Sequence, residues 1–124
     1  MSSNDNTMPL ALVVDDSPDA AETLVMLIEM EGFQAVAAGS LAEARQQLAL
    51  QTPDLVLLDH QLPDGNGLEL LDELAGSKFE VVMLTGSGDP DLMREARRRG
   101  AAGYLHKPVD MEALGAVLAR IRNA

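Results

Sequence analysis

Residues 10–38 read LALVVDDSPDAAETLVMLIEMEGFQAVAA, and this stretch decides the fold class. Leu10–Val14 is a continuous apolar run of the length of a buried parallel strand. Ser17 then offers an N-cap and Pro18 a first helical residue, with Asp19 and Glu22 in the opening turn. Leu24, Leu27 and Ile28 recur at helical spacing, and Gly32 stops the helix. Phe33 to Ala38 follows as a second strand. Strand, helix and strand in so short a stretch predict a βαβ unit, and hence a parallel sheet.

The same alternation continues downstream. Ser40 and Glu43 stand at capping-box spacing and open a helix whose buried face is Leu41, Ala44 and Leu48. Pro53 closes that region, and Leu55 to Leu58 reads as a third strand. LPDGNG (Leu62 to Gly67) reads as a loop rich in turn residues. Leu68, Leu71 and Leu74 mark a third helix, and Val81 to Leu84 a fourth strand. Asp89 and Pro90 repeat the cap-plus-proline start of a fourth helix, which ends at Gly100. Tyr104 and Leu105 sit in a short fifth strand. Met111, Leu114, Val117, Leu118 and Ile121 form the stripe of a final amphipathic helix. Five strands alternating with five helices predict an α/β fold, a doubly wound five-stranded parallel sheet covered on both faces.

The length of 124 residues suits one domain. Residues 1–7 read as a short disordered lead-in and residues 8–124 as the folded domain. Apolar residues make up 47% and charged residues 23%, the balance of a folded chain. Acidic residues outnumber basic ones 20 to 9, for a net charge of −11. That balance argues against direct nucleic-acid or anionic-membrane binding. The absence of cysteine excludes disulfides, thiolate metal sites and Cys nucleophiles, and fits a reducing compartment. The opening MSSNDNTM has no apolar core of a signal peptide, and no apolar run approaches the ~20 residues of a membrane span. A cytoplasmic location is therefore expected. Two Phe, one Tyr and no Trp leave little for stacking bases or sugars.

In a doubly wound sheet the site lies beyond the carboxyl ends of the strands. Asp15 and Asp16 follow the first strand and Asp59 the third; Thr85 and Gly86 follow the fourth, Lys107 and Pro108 the fifth. Taken singly, each has a bland reading. The acidic pair could be a solvated helix start, Asp59 a turn former, Thr85 a cap and Lys107 a surface charge. Their joint placement carries the signal. Three close carboxylates repel one another and are best tolerated with a cation. All-oxygen ligands favour Mg²⁺. A carboxylate beside Mg²⁺ can attack phosphorus to give an acyl phosphate, with Lys107 and the metal neutralising the transferred group and Thr85 donating to its oxygen.

The motifs VVDDSP (Val13 to Pro18), PDLVLLDHQLPDGNGLELL (Pro53 to Leu71), VVMLTG (Val81 to Gly86) and GAAGYLHKP (Gly100 to Pro108) resemble those of receiver domains of two-component response regulators, the CheY-like family. The likeness runs from about Leu10 to Ile121. It implies a flavodoxin-like sheet of strand order 2-1-3-4-5. It implies Asp59 as phosphoacceptor, and Asp15, Asp16, Asp59 and the Gln61 carbonyl as Mg²⁺ ligands. Thr85 would be the switch hydroxyl, Tyr104 the switch aromatic and Lys107 the partner of the phosphoryl group. The bond to Pro108 would be cis. The implied partners are a sensor histidine kinase or phosphotransfer protein, with a homodimer on phosphorylation through a helix 4, strand 5 and helix 5 face. Gln61 and Ser87 would tune hydrolysis.

Several further signals have two readings. Arg94, Arg97, Arg98 and Arg99 form either a solvated helix face or that partner surface. His60 and His106 read as flanking residues rather than metal or phosphorelay groups. TGSGDP (Thr85 to Pro90) matches neither nucleotide-binding glycine loop, and DGNG (Asp64 to Gly67) lacks calcium-loop spacing. TGSGDP is similar to stretches in receivers attached to transcription factors, so the chain reads as a single-domain regulator or as part of a longer, transcriptional one. Two rivals remain. One is a degenerate receiver acting as an unphosphorylated interaction module. The other is a small Mg²⁺-dependent aspartyl phosphatase of the haloacid dehalogenase type, although its D-x-D motif is missing.

Overall fold

The computed structural model describes residues 8–86 and 88–123. The expected lead-in 1–7 and Ser87 lie outside the described residues. Every residue of β1 (Leu10–Val14) and β3 (Leu55–Asp59) is buried, as continuous apolar runs require when both sheet faces are covered. With β2 (Gln34–Ala38), β4 (Glu80–Thr85) and β5 (Gly103–His106) they form one parallel sheet of order β2-β1-β3-β4-β5. The helices are α1 (Pro18–Met30), α2 (Leu41–Leu50), α3 (Gly67–Glu73), α4 (Pro90–Arg98) and α5 (Met111–Arg122).

Alternate strand residues face opposite sides, so the sheet splits its core in two. Ala11, Val13, Leu55, Leu57, Val82 and Leu84 pack against Ala21, Leu24 and Ile28 of α1 and Leu114, Val117 and Leu118 of α5. Leu12, Val14, Val56, Leu58, Val81 and Met83 pack against α2, α3 and Ala96 of α4. The α5 stripe is not uniform: Met111, the first residue of the helix, is 64% exposed.

The segment expected to be a plain loop contains a small antiparallel hairpin, Gln61–Leu62 against Gly65–Asn66. Pro63 and Asp64 make its turn, as turn chemistry dictates, but two-residue strands are too short to show alternation. Asn66 then caps α3 with a full capping box, its side chain and that of Glu69 each accepting a backbone N–H. The box expected at Ser40 is offset. Ser40 Oγ accepts from the Glu43 N–H at 3.1 Å, while Glu43 reaches back to the Gly39 N–H at 2.8 Å instead of to Ser40.

The first turn of α2 has a further acceptor from far along the chain. Asp64 accepts from the Leu41 N–H at 2.8 Å through Oδ1 and from the Ala42 N–H at 3.0 Å through Oδ2. Three helix-start donors are thus satisfied, one by Ser40 and two by Asp64. These two backbone bonds hold the Asp64 carboxyl below the ordinary aspartate value.

Gly67 is where backbone approaches backbone. A Cβ there would lie 2.1 Å from the Asp59 carbonyl oxygen. Gly67→Ala should therefore destabilise the fold by about 3 kcal/mol, at the upper end for overpacking. Gly115→Ala, in α5 with nothing within 4 Å, should stabilise it by about 0.5–1 kcal/mol. Urea unfolding of both variants checks the opposite signs. A second expectation concerns acid. A carboxylate with a lowered folded pKa contributes stability that is whole above its unfolded value and lost as pH falls through the folded one. The stability difference between the parent and Asp64→Asn should be constant near neutral pH and shrink below the ordinary value of 3.8, as urea midpoints against pH will show.

Candidate functional site

Parallel β1, β3, β4 and β5 all end at the same sheet edge, and their last residues deliver the polar groups there. Asp15 directly follows β1, and its N–H donates to the Ala38 carbonyl at 3.0 Å, continuing the ladder with β2. Its Oδ1 accepts from the Ser17 N–H at 3.0 Å. Asp59 is the last residue of β3, in register with Leu84, and Thr85 is the last of β4. Lys107 follows β5, and its N–H donates to the Thr85 carbonyl at 2.8 Å. The Lys107–Pro108 peptide bond is cis.

Asp15, Asp59 and Thr85 are the buried polar residues among those described, at 2%, 7% and 3% exposure. Carboxylates are seldom this buried without partners, which marks the edge as more than a solvated loop. One carboxylate oxygen each of Asp15, Asp16 and Asp59 lies within 4.8 Å of the others, with Asp16 on the solvent side. The Lys107 ammonium donates to Asp59 Oδ2 at 2.7 Å and stands 3.0 Å from Asp15 Oδ2. Burial alone would lower the lysine pKa, but its contacts with the two carboxylates outweigh that and raise it, so it is a firm cation.

One ammonium does not satisfy three carboxylates. Asp15 Oδ2 is fully buried and has no hydrogen-bond donor, because Lys107 approaches it without hydrogen-bond alignment. The donor set is all oxygen, anionic and close enough to share one ion. These residues therefore fit a hard divalent cation such as Mg²⁺. Asp59 Oδ1 accepts from the Gln61 N–H at 3.2 Å, which fixes the carboxylate plane.

Two clefts flank this centre. One is lined by Asp15, Asp16, Glu22 and Glu43, between α1 and the start of α2. The other is lined by Asp59, Gln61, Thr85, Gly86 and the α4 residues Asp89, Leu92 and Glu95. The nucleophile candidate and the hydroxyl thus share one opening. Tyr104 lies on β5, half-buried, and lines a small cavity with Thr85, Met83 and Leu92. The Arg97 guanidinium sits 5.3 Å from its ring centre, and His106 meets it edge-on at 5.6 Å.

The arginines of α4 are therefore not a free basic patch. Arg94 pairs with Asp91, Arg98 with Glu95, and Arg99 with Glu95 and Asp72. Sequence reading missed the Arg97–Tyr104 contact, the Asp64 clasp on α2 and the close approach at Gly67. All three join residues whose separation no local pattern reports.

Comparison with known proteins agrees with this geometry. The family model described as the response regulator receiver domain matches residues 11–119. The transcriptional regulatory protein DpiA of Escherichia coli K12 is 40% identical over 94% of this chain and 54% of its own length. The response regulator PilR of Pseudomonas aeruginosa is 37% identical over 91% of this chain and 26% of its own length. The chain thus spans about half or less of these relatives. Among solved structures, the CheY-like receiver domain from Methylobacillus flagellatus superposes with a TM-score of 0.84 at 34% identity, covering 93% of this chain and 99% of that one. A two-component response regulator from Clostridium difficile gives 0.89 at 25% identity, covering 94% and 97%. With the sheet order, the acidic centre and the matched family model in agreement, the chain belongs to the response regulator receiver domains of two-component systems.

Proposed function

We propose that the domain is a phosphorylation switch in which Asp59 accepts a phosphoryl group with Mg²⁺ bound. The observation that carries this reading is the buried Asp59 carboxylate, within 4.8 Å of Asp15 and Asp16 oxygens and held by Lys107 at 2.7 Å. Asp15, Asp16, Asp59 and the Gln61 carbonyl would hold the ion, which when bound offsets charge on the transferred group. The donor would be phosphohistidine on a sensor histidine kinase or phosphotransfer protein. An Asp59 oxygen forms the new O–P bond as the donor's P–N bond breaks, and the imidazole nitrogen keeps the electron pair. Lys107 remains protonated and neutralises an equatorial oxygen of the phosphoryl group. The Thr85 hydroxyl donates to another.

The half-buried ring of Tyr104 and the neighbouring α4 and α5 then supply the output face, with a homodimer on phosphorylation as one partner state. No turnover of an external substrate is proposed. Among the described residues no helix is long and apolar enough to cross a membrane, which accords with the cytoplasmic location we propose. Likeness to transcriptional regulatory proteins supports a role in a longer regulatory protein. The family match removes the haloacid dehalogenase rival, and the complete acidic centre speaks against a degenerate module.

Intact mass after incubation with acetyl phosphate and Mg²⁺ tests the reading. One phosphoryl group should be added, and none to Asp59→Asn or without the metal; an unmodified parent, also unlabelled by phosphorylated kinases, would sink it. Lys107→Met should slow both loading and spontaneous loss of the phosphoryl group by about tenfold or more, since Lys107 offsets charge in both transition states. Time courses of the same mass shift measure both rates.

A further inference from the structure

We propose that Asp64 is a positioning residue for the divalent-cation site, a strap that joins the two lips of that site beyond the last β1–β3 pair, Val14 with Leu58. The inference rests on the phosphoacceptor reading above. One lip is the end of β1 with Asp15 and Asp16, tied to β2 through the Asp15 N–H and the Ala38 carbonyl at 3.0 Å. The start of α2 follows Ala38 within three residues, so it moves with this lip. The other lip is the end of β3 with Asp59 and the hairpin whose first residue is Gln61.

Asp64 sits at the turn of that hairpin and crosses the gap, taking the Leu41 and Ala42 N–H groups of α2 at 2.8 and 3.0 Å. At its other end the hairpin is anchored by the Gly67 N–H to the His60 carbonyl at 2.8 Å. The main chain of Gln61 is therefore held from both sides. Leu62 is buried in the same apolar cluster as Leu41, so loss of Asp64 loosens the hairpin that carries Gln61 without detaching it. Asp64 itself is solvent-exposed and contributes no ligand. Its effect on the ion is through geometry: a small cation with strict octahedral demands is sensitive to the spacing of its donors.

The test separates strapping from helix capping. Ser40→Ala removes the local cap from the same helix turn but makes no bond to the hairpin. Calorimetric Mg²⁺ titration of the full chain, without phosphodonor, compares the parent, Asp64→Ala, Asp64→Asn, Ser40→Ala and Asp59→Asn, with circular-dichroism melts to confirm folding. Asp64→Ala should weaken Mg²⁺ about tenfold, the scale of supporting-residue losses at metal sites, and Ser40→Ala less than about twofold. Asp64→Asn, which keeps one acceptor, should fall between and serves alone if Asp64→Ala does not fold. Equal affinity in the Asp64 variants, or an equal loss in Ser40→Ala, overturns the strap while leaving the ion site standing. A parent that binds no Mg²⁺, or an Asp59→Asn variant that binds it as well as the parent, overturns the phosphoacceptor reading and the strap with it.

Discussion

The structure turns on three carboxylates forced within 4.8 Å of one another at one sheet edge. Left in water they would separate; here β1 and β3, wholly buried and hydrogen-bonded in parallel register, do not let them. Repulsion of this kind is tolerated only with a compensating cation. Lys107 supplies part of it, reaching in from the end of β5 because its own N–H is tied to Thr85. Asp15 Oδ2, buried and 3.0 Å from the Lys107 ammonium, shares it with Asp59, so one cation serves two buried carboxylates. The apolar core thus does electrostatic work: its packing holds the charges in an arrangement that favours binding an ion.

Most of this was legible in the sequence because it depends on local signals. Apolar runs of strand length, Pro at helix starts and acids after strands are all short-range patterns, and the doubly wound rule then brings the strand ends together. The family resemblance added the strand order that periodicity alone could not rank. What escaped was of another kind. Asp64 caps a helix from 23 positions away, and its turn context accounts for it equally well as a loop former. Gly67 looks like one more turn glycine until its neighbour, the Asp59 carbonyl, is known. Met111 matches the α5 stripe in spacing, yet is exposed. Periodicity reports which face a residue is on, not whether anything covers that face at that height.

The arginine-rich α4 shows why a composition argument must be resolved into pairs. Arg94, Arg98 and Arg99 each meet a carboxylate on or beside the helix. Exposed pairs of this sort add little stability, but they remove most of the positive field that a bare count of arginines implies. Arg97 differs. Its guanidinium lies over Tyr104, the aromatic residue closest in sequence to the reactive edge on β5. The positive charge on α4 that is not spent on carboxylates is therefore placed against the ring that the proposed switch would move.

Charge arithmetic supplies a direction for that switch. Three aspartates and one lysine leave the resting centre near −2, and a phosphoryl group on Asp59 adds roughly −1 more, because the carboxylate gives up its own charge in becoming the acyl phosphate. A single divalent ion offsets the resting charge, roughly +2 against −2, and leaves the added increment of about −1. The remainder must be met by donors that can turn or approach, and the Thr85 hydroxyl lines the same opening as Asp59. Thr85 also lines the small cavity beside Tyr104, so any inward shift of Thr85 enlarges the space next to the ring. Well-packed interiors do not leave such space empty at no cost. Tyr104 is a flanking side chain with a polar tip and only partial burial, so its movement would disturb the core little. In the proposed switch the excess negative charge at Asp59 and the avoidance of a void at Thr85 would be two ends of one coupled displacement, which Arg97 would resist through the face of the ring.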